Sequence, residues 1–294
     1  MKVPLMVNNR LRYAKGSPAA AAWGILRDLK VQDFPIDPRQ IATKLGIVIW
    51  ERELPDTCDG CLMRVENAWG ILINTRIRSE SRRNFTIAHE IGHYMLERDT
   101  VDSCSMDERL NFMIAEQGED TEQEKSNKQA YLQSEQRANQ FAAELLMPTP
   151  IFSADSSSHS KVGLPAISEL ASQYGTSLTS TGIHYTRLSR FVCAIVFSEE
   201  GVIRYFAYSD GFRDNKDCYL VSGQPLHPKA LASQFTNGTS VGELTGEVPL
   251  NYWCKPKESR RNESKLGSTN YKIFEHSRRI PRTKQVITFL HLLC

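Results

Sequence analysis

The 294-residue chain is 40% hydrophobic and 24% charged, with a formal net charge of +2. That balance is ordinary for a globular protein with room for more than one domain, and average charge alone demands no nucleic-acid partner. No run approaches the ~18 consecutive apolar residues of a membrane span. The N-terminus MKVPLMVNNRLRYAKG has no secretory h-region, so a cytoplasmic protein with no membrane partner is expected.

Residues 18–30 read as a helix. Asp37 then suits the N-cap of a second one, with Pro38 at its first position and Gly46 at its C-terminal stop. The runs 47–50, 61–67 and 69–75 predict strands. Arg82 to Glu97 predicts a helix, because Phe85, Ala88, Ile91, Gly92, Met95 and Leu96 share one broad apolar face.

The stretch 97–127 breaks that pattern with ten acids against three bases and reads as a solvated insertion. A strong helix resumes over 128–147, and SADSSSHS at 153–160 looks like a linker. Two short helices over 165–190 have a helix–turn–helix appearance, but without a basic recognition helix they fit a packing module better than a DNA reader. From Phe191 the period changes to strands: 191–198, 202–209, 218–222 and near 248–253. A short helix is expected around 228–235 and a last one near 282–292. The fold class is therefore α+β. The expected organisation is a first domain over 1–150, a helical segment over 151–190 and a separate α+β domain over 191–294.

The chemistry concentrates in Phe-Thr-Ile-Ala-His-Glu-Ile-Gly-His-Tyr-Met-Leu at 85–96. Residues i and i+4 of a helix share a face, so His89 and His93 can reach one zinc ion, with Glu90 beside them as general base. A catalytic zinc commonly takes three protein ligands and keeps one position open. In the segment 135–148, Glu135 is in phase with Ala138, Asn139 and Ala142, whereas Glu144 is about half a turn out of phase and is expected to face away. Glu135 is thus the third-ligand candidate, and Asn139 is placed to hydrogen-bond a ligand histidine. Tyr94, His184 and Tyr185 are open candidates for stabilising charge on the substrate carbonyl. Seven scattered cysteines suit reduced thiols, and only Cys58-Asp59-Gly60-Cys61 has metal-ligand spacing, without the second pair a zinc ribbon needs.

FTIAHEIGHYML followed by EQRANQFAAELLMP resembles the ImmA/IrrE family of metallo-endopeptidases, as do IDPRQIATKLGIVIW and GILINT. The resemblance covers residues about 15–190. It implies a minimal zincin-like domain with one zinc per chain on His89, His93 and Glu135, and Glu90 as base. It also implies a helix–turn–helix transcriptional repressor as substrate, cleaved to release silenced genes. The C-terminal region is similar to the GAF-like sensory domain of larger members, among them peptidases of DNA-damage and anti-phage operons. A non-catalytic anti-repressor that only binds its partner is the alternative; an intact Glu90 argues against it.

Two features suggest regulation. Cys104, eleven residues after His93, could fill the open zinc position as an inhibitory thiolate, the plainer reading being an ordinary loop cysteine. Residues 251–294 hold ten bases against three acids, interleaved with Tyr252, Trp253, Tyr271 and Phe274. That pattern suits a single-stranded DNA activator or, more simply, a solvated basic face with core aromatics.

Overall fold

The computed structural model describes residues 17–65, 68–97, 122–159, 161–214, 218–236, 242–256, 271–280 and 283–292. Contacts divide the chain into two compact units. One comprises Met1–Phe152 with Ser172–Ser177; the other comprises Ser153–Ala171 with Leu178–Cys294.

In the first unit, helix α1 (Pro18–Asp28) begins where Ser17 Oγ accepts from Ala20 N at 3.2 Å, with Pro18 at its first position. Helix α2 (Pro38–Lys44) begins where Asp37 accepts from Arg39 N at 2.9 Å. It is followed by Gly46 in the left-handed region (φ 73°), the stop its sequence predicts. Strand β1 (Ile47–Arg52) runs parallel to β3 (Ala68–Asn74), and β2 (Gly60–Val65) pairs antiparallel with β3, giving the order β1-β3-β2. Ile47, Leu62, Ile71 and Ile73 join Ile87, Ala88, Ile91 and Met95 in one buried cluster. The last four come from α3 (Glu80–Glu97), the helix predicted from residue 82.

Helix α4 (Glu122–Leu146) starts six residues before its predicted start and adds Phe141, Ala142, Leu145 and Leu146 to the same core. The contact between α3 and α4 is close because of Gly92. A Cβ there would lie 3.1 Å from Phe141 Cδ1 and 3.2 Å from Ala138 Cα. Glu144 does not face solvent as its phase suggested: it is buried, accepting from Trp23 Nε1 at 2.8 Å and Thr149 N at 3.1 Å. The physical reason is that α4 is covered on a second side by α1, which carries Trp23. Of the stretch 153–160, read as a linker, residues 153–158 instead continue helix α5 (Thr149–Ser158).

The second unit is built on a five-stranded antiparallel sheet of order β5-β4-β10-β9-β7. Its strands are β4 (Cys193–Glu199), β5 (Val202–Tyr208), β7 (Glu243–Pro249), β9 (Lys272–Arg279) and β10 (Gln285–Leu292). A small ladder joins β6 (Cys218–Tyr219) to β8 (Lys255–Pro256). The expected last helix near 282–292 is therefore a strand. Val286 to Leu290 are all buried between β4 and β9, and a continuous apolar run has no period to separate a central strand from a helix. The strand expected near 248–253 ends at Pro249, where a 3-10 turn takes over.

Helices α6 (Leu164–Tyr174) and α7 (Leu178–Leu188) form the helix–turn–helix-like pair. Within the second unit, Gly182 of α7 sits against Ile195 of β4, where a Cβ would come within 2.4 Å of Cδ1, and Tyr185 packs edge-on against Phe289 of β10 with centroids 6.1 Å apart. Packing on the sheet thus occupies the face of α7 that carries Thr181, Gly182 and Tyr185.

In the described part of the basic C-terminal region, three of the bases are paired with acids. Lys272 pairs with Glu247, Arg278 with Glu243 and Lys284 with Glu200. Trp253, expected among the interleaved aromatics, is fully buried and donates to Glu275 Oε2 at 2.9 Å. Glu275 also accepts from Leu231 N, Ala232 N and Ser277 Oγ, so its buried carboxylate is satisfied by four donors. Arg260 and Arg261 lie outside the described residues.

Candidate metal centre

Helix α3 presents His89 and His93 one turn apart, and α4 brings Glu135 to them. His89 Nε2 and His93 Nε2 are 3.0 Å apart. Glu135 Oε2 is 3.2 Å from the first and Oε1 is 3.3 Å from the second. Among the described residues, these three form the group whose ligand atoms could hold a metal ion, all within 4.8 Å of one another. A tetrahedral ion with bonds near 2.1 Å separates its donors by about 3.4 Å, close to the observed spacing.

The remaining hydrogen bonds fix which atoms face that point. His89 Nδ1 donates to Asn139 Oδ1 at 3.0 Å, and His93 Nδ1 donates to Glu97 Oε2 at 3.0 Å. With protons on both Nδ1 atoms, both Nε2 lone pairs converge with a carboxylate, an arrangement that suits a cation. Ser134 Oγ donates in turn to Glu97 Oε2. Asn139 therefore stands where the helix phase put it, whereas Glu97 and Ser134 were missed. The signal for Glu97 was its i+4 spacing from His93 on the same helix.

The electrostatics describe the site with imidazole protons also on the Nε2 side, facing Glu135. Burial raises the Glu135 carboxyl, but hydrogen bonds from His89 and His93 outweigh it and hold the group well below the usual carboxylate range. Glu97 is lowered in the same way: burial opposes, and the His93 and Ser134 hydrogen bonds prevail.

A cavity opens in front of the group, lined by His89, Glu90, Glu135 and Asn139 on the helix side and by Asp56 to Cys61 on the other. Glu90 is 3% exposed. The far wall is pinned by Asn74, whose buried side chain lies within 2.8–3.2 Å of the Leu54, Pro55 and Cys58 carbonyls. Arg82 at the start of α3 donates to both Asp59 oxygens, at 2.6 and 2.7 Å, tying this wall to the ligand helix. Cys58 and Cys61 pack with Leu54, Met63 and Leu72 in a small apolar cluster.

Tyr131 also lines the cavity, from one turn before Glu135 on α4. Sequence reasoning passed over it. Of the tyrosines it did raise, Tyr94 is 2% exposed and packs edge-on against Trp69 in the core. His184 and Tyr185 lie on α7 in the second unit. Cys104 lies outside the described residues.

Two histidines one turn apart, a carboxylate from a second helix and a buried glutamate beside the first histidine make up a metallopeptidase-type site. The comparison with protein families gives the same class: residues 42–183 match the model described as the IrrE N-terminal-like domain, Peptidase_M78. That match takes in α3, α4 and every residue of the candidate centre, and it supports an ImmA/IrrE-type metallopeptidase domain in this stretch. No curated protein matches the chain. Among the described residues, no helix is long and apolar enough to cross a membrane.

Proposed function

We propose that this chain is a zinc-dependent endopeptidase in which His89, His93 and Glu135 hold one zinc ion and Glu90 is the general base. The observation that carries the reading is the convergence of both Nε2 atoms and the Glu135 carboxylate in a cavity that Glu90 also lines. A three-ligand set of two imidazoles and a carboxylate with an open side suits catalytic zinc.

Zinc, when bound, supplies a Lewis acid for the scissile carbonyl and makes water a stronger acid. Glu90 takes a proton from the attacking water and delivers it to the amide nitrogen as the C–N bond breaks. Asn139 and Glu97 keep the two imidazoles in the tautomer that turns Nε2 to the site. Arg82 and Asn74 hold the opposite wall, beside which an extended segment of substrate would run.

The similarity to ImmA/IrrE peptidases supports a helix–turn–helix transcriptional repressor as the substrate, cleaved to derepress a stress, DNA-damage or anti-phage operon. The second unit is then the sensory part, read as GAF-like, and controls when cleavage occurs. The test incubates the zinc-loaded protein, wild type or Glu90→Gln, with the helix–turn–helix protein encoded by the neighbouring gene, and reads products by mass spectrometry. New termini with wild type alone support the reading. A repressor bound by both proteins and cut by neither would favour the non-catalytic anti-repressor instead.

A further inference from the structure

The two ligand helices share a second polar contact, behind the ligand atoms. His93 Nδ1 donates to Glu97 Oε2 at 3.0 Å, one turn further along α3. The same carboxylate oxygen accepts from Ser134 Oγ, which belongs to α4. Ser134 Oγ also lies 3.5 Å from His93 Nδ1, so the three groups close a triangle across the helix contact. Within it the His93 side chain is 2% exposed and that of Glu97 16%. Ser134 directly precedes Glu135 in the chain. Two successive positions of α4 therefore serve the centre: one brings a ligand carboxylate, and the other reaches the acceptor behind His93.

The direction of these bonds gives them a role. An ionised carboxylate only accepts, so both hydrogens run toward Glu97. His93 Nδ1 then keeps its proton, and its Nε2 lone pair is left on the side of Glu135. A glutamate side chain has three rotatable bonds, and a charge-assisted bond from another helix restricts them. A serine inside a helix often turns its hydroxyl back to a carbonyl of the preceding turn, whereas Ser134 gives its hydrogen to Glu97. Ser134 is not among the residues that line the cavity, which places its action behind the ligands rather than on substrate.

We infer that Ser134 is a positioning residue of the metal centre: by holding the Glu97 carboxylate from α4, it fixes the tautomer and ring orientation of His93 on α3. The inference rests on the metallopeptidase reading and deepens it. It makes zinc affinity depend on a hydroxyl that is not itself a ligand.

The experiment measures zinc affinity by chelator competition on full-length wild type, Ser134→Ala, Glu97→Ala, the double variant and Glu135→Gln. Ser134→Ala is expected to weaken zinc binding by about 10-fold, the low end of the loss for groups that orient a ligand histidine. In the Glu97→Ala background the same change should cost less than about twofold, because Ser134 acts through that carboxylate. Imidazole N–H signals of the zinc-loaded proteins give a second readout. Ser134→Ala should shift the His93 Nδ1–H signal and leave that of His89, held by Asn139, in place. Unchanged zinc affinity in Ser134→Ala overturns the inference. So does an equal loss in both backgrounds, or an equal shift of both signals, either of which would make the serine a general support of the helix contact. If wild type and Glu135→Gln bind zinc equally, the metal centre itself fails, and this inference fails with it.

Discussion

Gly92 and Ala138 meet where the two ligand helices touch: a Cβ added to Gly92 would lie 3.2 Å from both the Cα and the carbonyl oxygen of Ala138. The glycine sits immediately before His93, and Ala138 sits three residues after Glu135. The close approach of α3 to α4 is therefore what lets a carboxylate from one helix reach two imidazoles on the other. Gly92→Val should force the helices apart, costing about 1–3 kcal/mol of stability as an overpacked contact. It should also weaken zinc binding more than it weakens folding. Chelator competition and urea denaturation check this; unchanged zinc affinity would contradict it.

The outer hydrogen bonds of the two histidines make a second prediction. Asn139→Ala removes the acceptor of His89 Nδ1, and Glu97→Gln replaces the charged acceptor of His93 Nδ1. Loss of such partners typically lowers metal affinity by about 10–100-fold. Each change is expected to do so while leaving the ligands in place, and zinc titration of the two variants is the check.

Glu90→Gln separates binding from chemistry. The residue lines the cavity but is not among the grouped ligand atoms. The variant should hold zinc as wild type does and lose about 10²–10⁴-fold in cleavage rate, the range for removal of a general base. Zinc content by elemental analysis beside single-turnover cleavage reads both.

In the second unit, Glu243 gives a pH dependence. Burial raises its carboxyl, but His276 and Arg278 lower it further, so its folded value lies below the ordinary 4.5. A depressed carboxylate stabilises the fold above its unfolded value, and that contribution fades as pH falls through the folded one. The thermal midpoint of wild type should exceed that of Glu243→Gln near about pH 6, with the gap closing progressively as pH falls below 4.5.

The candidate ligand group was legible because it is local. His89 and His93 share a helix, and the helical period alone put Glu135 and Asn139 on the face that meets them. Glu144 was misjudged because its burial comes from Trp23, more than a hundred residues away, which no helix period reports. β10 was misjudged because a strand covered on both faces carries no alternation. α5 was hidden by serines, whose hydroxyls donate to carbonyls three or four residues back: Ser156 and Ser157 to Ser153, and Ser158 to Asp155. The burial of Trp253 depends on Glu275 of a later strand, another long-range pairing.

The most direct test of a metal-dependent peptidase is repressor cleavage by one preparation measured three times: as purified, after chelation, and after one equivalent of zinc is returned. Cleavage should disappear with chelation and return with zinc in wild type, and stay absent throughout in Glu90→Gln. Cleavage that survives complete removal of the metal would contradict the assignment of His89, His93 and Glu135 as the centre of its activity.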